Sequence, residues 1–218
     1  VGIPVECFKK MKESQLKLVL ELLNTWWTQE SVEDEVTQAQ VILLFKKGDK
    51  NNLENYRPIF LLNTTYKLLA AIIQKRIADS LDKHLQRTQY GFRQRKGTAQ
   101  ATHYVRRIVE KGEMTRTKTL MVLLDWEKAF DKVKHEKLFE ALIRMNIPTK
   151  LVNMIKALYK NPTFKIAMDN QESGWTQQQT GIRQGCPLSP YLFLIVMTCL
   201  FHDVHLNDHL KPEEHRVK

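Results

Sequence analysis

Residues 119–131, Thr-Leu-Met-Val-Leu-Leu-Asp-Trp-Glu-Lys-Ala-Phe-Asp, decide how this chain is read. An unbroken apolar run stops abruptly at Asp125, passes through a polar turn, and resumes as Ala129-Phe130-Asp131. A short continuous apolar run predicts a strand buried on both faces, as in the middle of a layered α/β sheet. A carboxylate at its C-terminal edge then sits where the sheet opens to solvent, on rigid backbone and able to bind a hard cation. A plain strand ending in an acidic turn satisfies the same pattern, so a second segment has to decide.

That segment is Gln179-Thr-Gly-Ile-Arg-Gln-Gly-Cys-Pro-Leu-Ser-Pro190. Between and before the two lie alternating helical and strand patterns. Residues 8–30 carry Leu16, Val19, Leu20 and Leu23 at helical spacing, and Val41–Phe45 is a short apolar strand. A turn-rich loop follows at 46–52, then a second strand at 56–62, where Pro58 bars Arg57 from helical backbone. Asn63 or Thr64 caps a helix to about Leu85. A basic, Gly-punctuated loop at 90–98 leads into a helix over 99–111. Helices are expected at 135–145, 150–159 and 190–200, with strands at 164–168 and 175–180. The class is α/β (α+β), with a basic, helix-rich lobe inserted into a sheet domain and no linker dividing it.

Charge sharpens this. The 218 residues carry a formal net charge of +10 and are 43% hydrophobic, enough for a real core. Residues 45–118 hold seventeen Lys/Arg against six Asp/Glu, a balance of +11, whereas residues 1–36 hold four against seven. A concentrated basic region is the footprint of a phosphate-backbone binder, although a solvated basic face gives the same count. Cys7, Cys186 and Cys199 are odd in number and far apart, as ordinary thiols of a reducing, intracellular compartment are. No stretch reaches the ~20 apolar residues of a membrane span, so no membrane partner is expected. The start at Val1 rather than Met suggests a fragment or a processed piece.

Four strings together resemble the reverse transcriptases of non-LTR (LINE-type) retrotransposons. They are Lys46-Lys-Gly-Asp49 with Asn55-Tyr-Arg-Pro58 and Leu61-Leu-Asn63, then Gln89-Tyr-Gly-Phe-Arg93, then Leu124 through Asp131, then Gly181 through Pro190. Each is weak alone; their order and spacing make the signal specific. The resemblance implies a right-hand polymerase with a palm sheet and basic, helix-rich fingers, the rest of the palm and the thumb being absent. It implies one partial domain over 1–218, with an N-terminal extension and fingers over about 1–115 and palm with interleaved fingers elements over 116–218.

The same resemblance assigns residues. Asp125 is the first catalytic aspartate, a ligand of both Mg²⁺ ions, and the Trp126 backbone carbonyl touches the second. Phe130 packs under the sugar and favours dNTPs, the alternative being a core Phe at a strand–helix junction. Asp131 is read as capping or bracing the next helix. Arg57, assisted by Lys46 or Lys47, contacts the triphosphate with a bidentate fork. Gln184 and Gly185 line the nucleotide pocket, and Arg93, Arg95 and Lys96 belong to a template-contacting loop. An RNA template, a DNA primer and dNTP are the implied partners, and the implied location is nuclear, cytoplasmic or both.

One departure stands out. The family's third motif is an aromatic-Ala-Asp-Asp hairpin, and these 218 residues contain no adjacent Asp-Asp pair. The chain by itself is therefore expected to be inactive. A group II intron maturase-like protein, an RNA-dependent RNA polymerase, and a degenerate, non-catalytic nucleic-acid-binding remnant are the alternatives; Phe130 speaks against the RNA polymerase. The His202–His209 tail, with His205 and His209 one helical turn apart, lacks further ligands and is read as a solvated helix end.

Overall fold

Two β-branched and aromatic-rich runs, Ala39–Phe45 (β1) and Tyr56–Leu62 (β2), pair antiparallel with Val41 opposite Phe60 and Leu44 opposite Arg57. In this computed structural model, which describes residues 2–168 and 171–206, they form one side of a five-stranded sheet. β1 also runs parallel to Thr163–Met168 (β3), setting Ala39 beside Phe164. The far edge of β3 takes two short strands, Gln171–Glu172 (β4) and Thr176–Gln177 (β5). The expected strand at 175–180 thus shrinks to two residues.

The helices are Val5–Lys10 (α1), Glu13–Gln29 (α2), Asp34–Thr37 (α3), Thr64–Leu81 (α4), Thr98–Met114 (α5), His135–Arg144 (α6), Thr149–Leu158 (α7) and Ser189–Leu206 (α8). Asn63 caps α4, its side chain accepting from the Thr65 N–H at 3.0 Å. α4 buries Tyr66, Leu69, Ala70, Ile73 and Ile77, one helical stripe, in a core shared with Leu138 and Leu142 of α6, Met154, Ile155 and Leu158 of α7, and Leu192 and Ile195 of α8. Asn146, in left-handed backbone at φ 52°, and Pro148 separate α6 from α7. Among the described residues no helix is long and apolar enough to cross a membrane.

Two expectations need correction. The helix predicted over 8–30 is two helices broken at Met11 and Lys12; Leu23 and Trp26 are buried, Val19 and Trp27 pack partly against the core, and Leu16 and Leu20 face solvent. The larger correction concerns the apolar run before Asp125. Residues 117–126 form no strand, and Leu120 and Leu123 are 90% and 87% exposed. Hydrophobicity encodes a wish for burial; a strand additionally needs a neighbour with free N–H and C=O groups. Among the described residues, all sheet pairing belongs to β1–β5, and none reaches this run.

Candidate active site

A backbone seam builds the site. After the turn at 127–132, the Phe130 carbonyl accepts from the Ile182 N–H at 2.8 Å and the Val133 carbonyl from the Gly181 N–H at 2.8 Å. On its other side the same loop is tied to β2, where the Phe60 N–H donates to the Gln184 carbonyl at 2.8 Å. Gly185 makes that approach possible. Its φ is +114°, and a Cβ there would lie 2.7 Å from the Phe60 carbonyl oxygen. Gly185 is therefore required by the protein's own backbone, a role the pocket-lining assignment did not include.

The seam brings Asp131 and Gln184 to one cleft with Arg57, Lys46 and Lys128, about 510 Å³ in volume. Arg57 reaches it from β2, and Lys46 from the start of the β1–β2 loop, whose ends are closed by the Lys46 N–H donating to the Asn55 carbonyl at 2.8 Å. That loop is further fixed by Asn55 Nδ2 donating to the Asp49 carbonyl at 2.8 Å. Lys47 does not line the cleft. Three cations thus meet two carboxylates, Asp131 and Glu54, the latter 3.5 Å from Lys128. Such a cleft suits a polyanion that can displace weak surface pairs.

Asp131 differs from its expected role. α6 begins at His135 after Lys134, so Asp131 caps nothing; it accepts from Gln184 Nε2 at 3.3 Å. Partial burial raises its pKa, opposed by the Gln184 hydrogen bond and the nearby Lys128 charge. Phe130 is half-buried and stacks on Phe193 at 4.7 Å between centroids, with Phe92 edge-on at 6.2 Å. Packing is thus one of its roles.

Asp125 and Trp126 do not line this cleft; they belong to the exposed run, and Trp126 is 51% exposed. Among the described residues no three His, Cys, Asp or Glu side chains gather to hold a metal ion. Asp125 alone does not fit a two-ion centre, which needs several carboxylates.

The template loop also changes. Arg93 is a clamp: its side chain is 7% exposed, its Nε and Nη2 grip the Asp82 carboxylate at 2.8 and 2.9 Å, and Nη1 donates to the Gln86 carbonyl at 2.8 Å. This pairing holds the Asp82 carboxyl below its ordinary pKa. A fork so engaged has no donors left for a template. Lys96 donates to the Arg87 carbonyl at 2.7 Å, while the Arg95 side chain has no ion-pair partner among the described residues.

Sequence reasoning missed Arg183, which is fully buried. Its Nε donates to Gln178 Oε1 at 2.9 Å and its Nη1 to the Thr37 carbonyl at 2.5 Å, with Phe60 and Tyr66 rings beside it. Ser189 Oγ donates to the Arg183 carbonyl at 2.8 Å. The residue anchors the loop that carries Gln184 and Gly185. Only its place inside the Gly181–Gly185 string hinted at it. Of the His tail, the His205 side chain and His209 lie outside the described residues.

A family model for "Reverse transcriptase (RNA-dependent DNA polymerase)" matches residues 45–211. The chain belongs to the reverse transcriptase family. Its relatives are non-LTR retrotransposon proteins. An R2 element Pol polyprotein of Popillia japonica is 30% identical over 74% of this chain and 22% of its own length. The R2 protein of Nasonia vitripennis is 27% identical over 73% of the chain and 15% of its length. The RNA-directed DNA polymerase from mobile element jockey of Drosophila melanogaster is 28% identical over 72% and 17%. The chain therefore aligns with under a quarter of each of these relatives. This reverse transcriptase family generally uses divalent metal ions.

Proposed function

We propose that this chain is the fingers and first palm portion of an RNA-directed DNA polymerase, one that joins a dNTP to a primer 3′-hydroxyl on an RNA template with release of pyrophosphate. The observation that carries this reading is the cleft in which Arg57, Lys46, Asp131 and Gln184 converge. Arg57 and Lys46 bind the triphosphate, with Lys47 close by in sequence, and Gln184 orients the incoming nucleotide while Asp131 holds its amide. Phe130 combines packing on Phe193 with limiting space beneath the sugar. The basic stretch 45–118 follows the template–primer backbone, the fingers extending to about residue 115 and the palm following.

Magnesium is the ion proposed, two of them, with Asp125 and the Trp126 carbonyl as ligands. In the polymerase the run 119–124 would become a sheet strand once a hairpin bearing paired aspartates lies beside it. The sites of action would be nuclear or cytoplasmic. The non-catalytic remnant is the second reading, favoured by the exposure of the Asp125 segment. The relatives, being retrotransposon proteins, favour the LINE-type reading over the maturase-like one.

Primer extension separates the two. The 218-residue chain alone should incorporate no dNTP. Joined to an Asp-Asp hairpin it should extend a primer, and Asp125→Asn should lower the rate by several orders of magnitude. Activity unchanged by Asp125→Asn would refute the assignment, and inactivity of the joined protein would favour the remnant.

A further inference from the structure

Arg183 has 0% of its surface exposed, and among the described residues no buried carboxylate accompanies it. Nor does it take part in any ion pair among them. A buried charge is ordinarily paired, because leaving water without a counter-charge is costly. Two arms of its fork meet neutral oxygens, Nε donating to Gln178 Oε1 at 2.9 Å and Nη1 to the Thr37 carbonyl at 2.5 Å. The third arm, Nη2, has no hydrogen-bond partner among the described residues. The Tyr66 and Tyr159 hydroxyls share that condition, both buried and both unpartnered there.

These three groups are neighbours drawn from separate elements. Tyr66 comes from the first turn of α4, Tyr159 follows α7, and Arg183 belongs to the loop before α8. The guanidinium carbon lies 5.7 Å from the Tyr66 ring centre, and its charge is felt at both phenols. Burial pushes the Tyr66 and Tyr159 phenols up, and the Cys186 thiol beside Tyr66 up as well. All three therefore stay protonated at neutral pH. They can donate hydrogen bonds, but none of them supplies a negative charge. The start of α8, where the Ser189 hydroxyl donates to the Arg183 carbonyl at 2.8 Å, adds the positive end of a helix dipole.

Protonated donors around an unneutralised cation, closed off from solvent, match a small anion. A water would satisfy the hydrogen bonds and leave the charge unanswered. A phosphate would bring more negative charge than one guanidinium neutralises. We propose that Arg183 Nη2 and the Tyr66 and Tyr159 hydroxyls bind one monovalent anion of halide size, chloride or bromide, inside the core. The anion ties α4 and the end of α7 to the loop whose next two residues are Gln184 and Gly185. It thereby helps to hold a loop that lines the candidate active-site cleft. The inference stands on the buried cluster and does not depend on which reaction that cleft serves.

The test follows thermal unfolding of the 218-residue protein at fixed ionic strength, with gluconate, too large for a closed site, replaced stepwise by chloride or bromide. An anion that binds the folded state alone raises the unfolding temperature with the logarithm of its concentration once the site fills. Tyr66→Phe combined with Tyr159→Phe keeps both rings and removes both hydroxyl donors. This double variant should need at least about tenfold more chloride for the same rise above its own value in gluconate. General salt effects act on both proteins alike, so the difference between them reports the site. Crystals grown in bromide should show an anomalous peak within hydrogen-bond distance of Arg183 Nη2 and both hydroxyls. The inference is overturned if chloride and bromide leave the unfolding temperature where gluconate does, or if the double variant responds like the parent. It is equally overturned if the bromide crystals hold a water at that point, with no anomalous signal.

Discussion

Residues 180–185 and residues 119–126 were both singled out by their sequence, yet the structure treats them oppositely. The first loop is almost wholly polar or glycine, and it is stitched on both sides by backbone hydrogen bonds and anchored by the buried Arg183. The second carries five consecutive apolar residues, Leu120–Leu124, and it lies unpaired and exposed. What distinguishes them is partners. The loop finds the Phe130 and Val133 carbonyls and the Phe60 N–H within reach, whereas the apolar run meets no strand among the described residues. Apolar content supplies a driving force for burial, but directional partners decide where a segment goes.

The sharpest way to break this contrast is Gly185→Ala set against Leu123→Ser. The added methyl meets the Phe60 carbonyl in backbone that disfavours any side chain, so stability in urea should fall by at least about 3 kcal/mol. Leu123→Ser, on the exposed run, should change it by less than about 0.5 kcal/mol. A comparable loss at both positions would mean that the apolar run is packed.

Next in size is Arg93→Ala. Removing a buried fork from Asp82 and three carbonyl groups should cost about 2 kcal/mol and expose the 86–96 loop to limited proteolysis. Lys47→Ala, on the exposed loop, should do neither. Resistance of the Arg93 variant to cleavage would restore that side chain to a solvent-facing role.

The smallest effect is a pH slope located in the stitched region. His135 stands beside the seam, its Nε2 3.0 Å from the Gly181 carbonyl, and burial lowers its pKa, with Arg183 acting the same way and the Gly181 bond opposing. A histidine with a lowered folded pKa favours the fold when neutral. Its contribution is present above the unfolded value of about 6.5 and is lost as pH falls through the folded pKa. The unfolding free energy should decline on that acid side, and His135→Gln should remove that part of the slope. An unchanged slope in the variant would show that His135 is not the group responsible.

Much of this was legible in advance. The β1 and β2 runs, the Asn63 cap and the helices after residue 134 follow from period, capping residues and Pro148, all local signals. The Gly181–Gly185 string was singled out in the sequence, whereas the close approach of Gly185 to the Phe60 carbonyl is visible only in the fold. Three features were not legible because each depends on a distant partner. Arg93 reads as a loop cation until Asp82 is seen beside it, Asp131 as a cap until Gln184 is, and the 119–124 run as a strand until the sheet proves to close without it.

Hydrogen–deuterium exchange, resolved to single amides, tests the central contrast most directly. The Gly181, Ile182 and Phe60 amides should exchange only through substantial unfolding, while the amides of 119–126 exchange at close to their unprotected rates. Protection of 119–126 as strong as that of the seam would contradict the account, because it would place that run in a paired strand within these 218 residues.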